Sequence, residues 1–136
     1  MVVDTSALLA VLQDEAERRV FNEAMEAAGS VTMSVASFVE ASIVLEVRHG
    51  AEGLRALDRF VDRAGIAIAG VDLEQGKLAR DAFSRFGKGR HPAGLNFGDC
   101  FAYALAKVLG EPLLFKGEDF ARTDVARVEP APGFTS

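Results

Sequence analysis

The 136-residue sequence predicts an α/β fold, a parallel β-sheet flanked by helices on both faces. Two observations carry this. Short apolar runs rich in Val, Ile and Leu alternate with longer segments of helical periodicity, and a β-α-β-α order argues for parallel strands joined by right-handed crossovers. Acidic residues also follow two of these runs, Asp4 after the first and Glu118 and Asp119 after the last. In open parallel sheets, functional groups gather beyond the carboxyl ends of the strands.

The elements follow in order. Residues 1–3 form a short strand ending at Asp4, and Thr5 or Ser6 can cap a helix over 7–13. A second helix spans 15–28 and stops at Gly29, and 31–34 is a strand. Helices over 36–49 and 51–64 are stopped by Gly50 and Gly65. Residues 66–70 are apolar throughout, as a buried parallel strand should be. Asp72 caps a helix reaching about Phe86, and a Gly/Pro-containing loop over 88–97 leads to a helix over 98–109, ended by Gly110. A strand over 112–115, at most one helical turn over 118–122 and an edge strand over 125–129 complete the fold. No repeat or linker divides the chain, so residues 1–130 read as one domain and 131–136 as a loose tail.

Composition agrees with a soluble globular domain: 49% of residues are apolar and 26% charged. A chain this size buries about two-thirds of its unfolded surface, so it folds without staples. The longest stretch free of charge covers 13 residues, 27–39, short of the roughly 20 that a membrane span needs. The opening Met-Val-Val-Asp shows no leader pattern. The lone Cys100 cannot pair internally, which suits a reducing cytoplasm. Net charge is −5, yet residues 77–91 carry five bases (Lys77, Arg80, Arg85, Lys88, Arg90) against Asp81, a local +4 on an otherwise acidic chain.

Helical periodicity places carboxylates on unexpected faces. With 100° per residue, Glu40 shares a stripe with Ala36, Ile43, Val44 and Val47, a face expected to be buried. Asp99 opens a helix charged beyond its first turn only at Lys107, and shares a face with Ala102, Tyr103 and Ala106. Tyr103 and the many Phe residues, at helical spacing, read as core. Like charges brought together raise one another's pKa, and a divalent cation removes the repulsion. Oxygen-only ligands suit Mg²⁺ or Mn²⁺. Zinc finds no ligand spacing, because His49, His91 and Cys100 are isolated from one another. Such a site can polarise a phosphodiester and activate water. The basic stretch would then draw a polyanion to an acidic pocket. No P-loop, dinucleotide fingerprint or nucleophile elbow competes.

These residues resemble the PIN-domain nucleases, and specifically the VapC toxins of bacterial toxin–antitoxin pairs. The resemblance rests on Val2-Val3-Asp4-Thr5-Ser6-Ala7, on Ser34-Val35-Ala36-Ser37-Phe38-Val39-Glu40, on Gly94-Leu95-Asn96-Phe97-Gly98-Asp99-Cys100, and on Leu113-Leu114-Phe115-Lys116-Gly117-Glu118-Asp119-Phe120 with Thr123-Asp124. Successive acids lie 36, 59 and 20 residues apart. The resemblance implies Mg²⁺- or Mn²⁺-dependent endoribonuclease cleavage by an activated water. It implies an acidic catalytic and metal set of Asp4, Glu40, Asp99 and Asp119, with Glu118 adjacent to the last. It implies that Ser6 supports Asp4, that the chain forms a homodimer, and that a VapB-type antitoxin wraps it and inserts a segment, often with an Arg, into the acidic site. Lys88, Arg90 and Lys116 are candidate phosphate contacts. Two other classes fit in part. A phosphate-receiver signalling domain needs an acidic pair near the first strand, where only Asp4 stands, and it leaves Glu40 without a role. A PIN-like interaction module without activity would be expected to have lost some of the acids.

Overall fold

The computed structural model describes residues 1–129, so the tail expected over 131–136 lies outside the described residues. Four strands, β1 (Val2–Val3), β2 (Val31–Ser34), β3 (Ile66–Ala69) and β4 (Leu113–Leu114), form one sheet in the order β3-β2-β1-β4 with every pair parallel. Val2 sits opposite Thr32 on one side and Leu113 on the other. The helices are α1 (Thr5–Leu12), α2 (Arg18–Ala27), α3 (Val35–His49), α4 (Ala51–Ala64), α5 (Leu73–Phe86) and α6 (Phe97–Leu109). From β1 the chain steps outward to β2 and β3, then returns through α5 and α6 to place β4 on the free side of β1. The reversal leaves a switch point between β1 and β4, the position where such sheets place their sites.

Strand alternation divides the interior into two cores. Val2 and Leu113 pack with α5 and α6 around Phe86, Leu95, Tyr103 and Leu105. Their neighbours Val3 and Leu114 face the opposite way, into α1 to α4 around Leu8, Phe21, Met33 and Leu57. Helices therefore cover both faces. No helix among the described residues is long and apolar enough to cross a membrane.

Gly50, Gly65 and Gly110 end α3, α4 and α6 with positive φ, and Asp72 caps α5 through the Gln75 amide. Four expectations change. The cap of α1 is Asp4 rather than Thr5 or Ser6, because its carboxylate accepts from the Ser6 amide; the Thr5 hydroxyl donates instead to the Ser37 carbonyl at 3.1 Å, tying α1 to α3. β3 lies at the sheet edge, with no strand outside it among the described residues, and Ala67 and Ile68 are exposed rather than buried. The segment expected as an edge strand over 125–129 pairs with β4 only around Leu113, whose amide donates to the Ala126 carbonyl and whose carbonyl accepts from the Val128 amide. The stripe around Glu40 is also divided. α3 buries Ser37, Ala41 and Leu45, but Val35, Val39, Ile43 and Val47 form an exposed apolar line, with Ile43 at 58% and Val47 at 81%. Glu40 lies between the two lines and is half-buried.

Candidate metal centre

The site begins with the short strand β1, whose two valines bury the backbone and bring Asp4 to the switch point, 2% exposed. The Asp4 amide donates to the Leu114 carbonyl at 3.0 Å, locking the carboxyl end of β1 to that of β4. Its Oδ2 accepts from the Ser6 amide at 3.0 Å and from Ser6 Oγ at 2.7 Å. Ser6 Oγ in turn accepts from the Lys116 amide at 3.0 Å. One hydroxyl thus holds Asp4 and ties it to the loop after β4. Asp4 Oδ1 is buried with no hydrogen-bond partner.

Asp99 is oriented by the start of α6. The Asn96 side chain accepts from the Asp99 amide at 2.9 Å, and Asp99 Oδ2 accepts from the Asn96 amide at 3.0 Å. This reciprocal capping box satisfies two amides of the helix end and leaves the other Asp99 oxygen uncommitted. Glu40 reaches α6 from α3. Its carboxylate lies so close to Gly98 that a β-carbon at that position would collide with it.

The four acids are joined by their field. Burial pushes the Asp4 carboxyl above the ordinary carboxylate range; the Ser6 hydrogen bonds oppose this, and the Glu40 charge adds to it. Asp99 is pushed up to about 7, first by burial, against the Asn96 amide, and then by the charges of Asp4, Glu40 and Asp119. Among the described residues no three such groups already close into a coordination cage. A buried, unpartnered carboxylate oxygen surrounded by like charge is nevertheless what a hard divalent cation fits, since it supplies both the missing partner and the opposite charge.

Glu118 and Asp119 diverge. Asp119 acts on Asp99, whereas Glu118 lines a separate cavity of about 350 Å³ with Glu17, Phe21 and Arg127. The three candidate phosphate contacts also differ. Lys116 is ion-paired with Glu15 and with Glu17, the latter at 3.4 Å. Lys88 is exposed, and the Arg90 guanidinium sits 5.7 Å over the Phe83 ring. Asp124 accepts from the Tyr103 hydroxyl at 2.5 Å and pairs with Lys107 at 3.2 Å, fastening the segment after Asp119 to α6.

Sequence reasoning did not single out Asn96, the tie from Thr5 (read there as a helix cap) to Ser37, or Gly98. The pattern Asn-x-x-Asp ahead of an apolar helical run was the available signal for the first. A glycine in the first turn of a helix, next to an acid, was the signal for the third. Thr5 carried none.

The chain matches the PIN domain family over residues 1–126. It is 55% identical over 128 residues to Ribonuclease VapC of Mycolicibacterium smegmatis, covering 94% of this chain and 99% of that protein. It is 52% identical over 128 residues to Ribonuclease VapC30 of Mycobacterium tuberculosis, covering 94% and 98%. Among solved structures, VapC20 of Mycobacterium tuberculosis, described as a sarcin-ricin loop cleaving toxin, aligns with a TM-score of 0.77 at 18% identity over 95% of this chain and 98% of that one. VapBC2 from Rickettsia felis, bound to a DNA fragment from its promoter, gives a TM-score of 0.71 at 12% identity over 94% and 96%. At those identities the structural likeness concerns the fold. The sequence relationship goes further: the chain belongs to the PIN-domain family and, within it, to the VapC ribonucleases.

Proposed function

We propose that this protein is the toxin of a type II toxin–antitoxin pair and cuts RNA phosphodiester bonds with a divalent cation, Mg²⁺ or Mn²⁺, held by Asp4, Glu40, Asp99 and Asp119. The observation that carries the cation site is the buried, unpartnered Asp4 Oδ1 within the field that raises Asp99. When bound, the cation polarises the phosphodiester and lowers the pKa of water.

The chain's own groups prepare this chemistry. Ser6 occupies Oδ2 of Asp4 with two donors, so the other oxygen remains for the cation. The capping box restrains Asp99 through one oxygen in the same way. Burial and the neighbouring acids raise the Asp99 carboxyl to about 7, and positive charge brought beside it favours the ionised form. Glu40, close against Gly98, adds negative charge beside Asp99. Among the described residues no side chain is assigned as a covalent nucleophile.

Two partners belong to this reading. A second copy of the chain fits the exposed α3 line of Val35, Val39, Ile43 and Val47, since contiguous exposed apolar surface marks interaction sites. A VapB-type antitoxin follows from membership among the VapC ribonucleases, and an arginine from it would neutralise the acidic site. The reducing setting that suits the free, buried Cys100 is the cytoplasm.

The test is cleavage of total RNA by partner-free protein with Mg²⁺ or Mn²⁺ and with chelator. Discrete fragments that vanish with chelator are expected, and their mapped ends identify the target. Folded protein that leaves total RNA intact in both metals would refute the proposal.

A further inference from the structure

Among the described aromatic residues Phe97 is by far the most exposed, at 79% against 38% for Phe83, where the sequence pattern suggests core. It opens α6, one residue before Gly98 and two before Asp99. Phe101 braces it edge-on, with ring centroids 4.9 Å apart at 72°. On the α5 side its ring borders an open slot of about 450 Å³ walled by Ala79, Phe83 and Phe101, with Arg80 on the lining. The Arg90 guanidinium covers the Phe83 ring at the same place. Arg80, Lys88 and Arg90 enter no ion pair among the described residues, whereas Arg85, on the same helix as Arg80, is paired with Asp81 and Asp124.

A centre of four carboxylates repels the backbone it must cut, so RNA has to be held from the flanks. An aromatic face is sequence-tolerant for bases, and adjacent guanidiniums suit phosphates. On its α3 side the ring borders Val39 and Ile43 of the exposed apolar line, which suits a protein partner; the slot on its α5 side adds cations without ion pairs, which match a polyanion. We propose that Phe97, braced by Phe101, is the stacking platform for the nucleobase next to the scissile phosphate, with Arg80 and Arg90 receiving the neighbouring phosphates. Phe97 is then a positioning residue that touches substrate beside the metal centre. This rests on the ribonuclease reading above.

The test uses the full chain and a 12-nucleotide RNA carrying the cleavage site mapped from total RNA. Two further versions each have an abasic nucleotide on one side of the cut. Phe97→Ala is expected to lower kcat/KM about 5- to 100-fold on the intact RNA, the loss of one stacked base. Phe97→Trp should stay near wild type, and Phe97→Leu should behave like Ala, because it retains apolar volume but no aromatic face. On one of the two abasic RNAs the gap between wild type and Phe97→Ala should close. Wild-type cleavage together with an unimpaired Ala variant, an active Leu variant, or a gap that persists on both abasic RNAs would overturn the proposal and leave the ribonuclease reading standing. The last two results would assign the Phe97 face to a protein contact. Failure of the wild type to cut RNA would overturn both. Thermal unfolding of each variant checks folding, which an exposed ring should not affect.

Discussion

In the Asp99→Asn variant the amide oxygen can still accept from the Asn96 backbone, so the capping box survives while the charge disappears. The Asp99 carboxyl rises from 3.8 to about 7, so folding without a cation raises its proton affinity and ionising it above that pH costs stability. Such a group contributes stability at low pH and loses it as pH rises through that window. Three pKa units would be about 4 kcal/mol as a ceiling, and partial exposure of the carboxylate screens this to about 1–2 kcal/mol. For a domain of this size that corresponds to a rise in Tm of about 3–8 °C for the variant over wild type at pH 8 in chelator. At pH 4 the two proteins should melt together. Adding Mn²⁺ at pH 8 should reverse the order, because binding to the folded state raises only the wild type strongly. Differential scanning fluorimetry over this pH and metal grid reads all three effects. A variant less stable than wild type at pH 8 in chelator, or one that gains as much from Mn²⁺, would refute the electrostatic account.

Other residues make separate predictions. Ser6→Ala removes the donor to Asp4 Oδ2 and the acceptor for the Lys116 amide, and should cost about 1–2 kcal/mol by denaturant titration, with Ser6→Thr recovering most of it. Gly98→Ala drives a methyl against the Glu40 carboxylate, the end of a flexible side chain that must swing aside, and should lose about 1 kcal/mol or less. In a Glu40→Ala background the same change should cost almost nothing, and an equal loss in both backgrounds would contradict the contact. Ile43→Glu places a charge in the exposed α3 line, so light scattering should show two chains for wild type and one for the variant. Two chains in both would move the dimer surface elsewhere.

The sequence carried the element order because helix stops and apolar runs are local signals. Gly50, Gly65 and Gly110 end their helices where positive φ is required, and the Asp72 cap is a one-turn interaction. Asp4 was legible as the acid that ends the first apolar run, and Asp99 as an acid sharing a helix face with Ala102, Tyr103 and Ala106. What stayed hidden depends on what lies across space. Periodicity groups Glu40 with Ile43 and Val47, but it cannot tell a face covered within the chain from one left open at the surface. The apolar run of β3 reads as interior until its place at the sheet edge is known. Glu118 and Asp119 are adjacent in sequence, and only the turn after β4 sends one toward Asp99 and the other toward the cavity beside α2. Phe97 has the spacing of a core residue, yet its place on the first turn of α6 leaves it exposed.

The most direct measurement is cleavage of total RNA in Mg²⁺ or Mn²⁺ by wild type and by Asp4→Asn, Glu40→Gln, Asp99→Asn and Asp119→Asn, each shown to be folded by its melting transition. The account predicts discrete cuts by wild type, no cleavage by the Asp4 and Asp99 variants, and weakened cleavage by the other two. Metal-dependent cutting by Asp4→Asn and Asp99→Asn at the wild-type rate would contradict it.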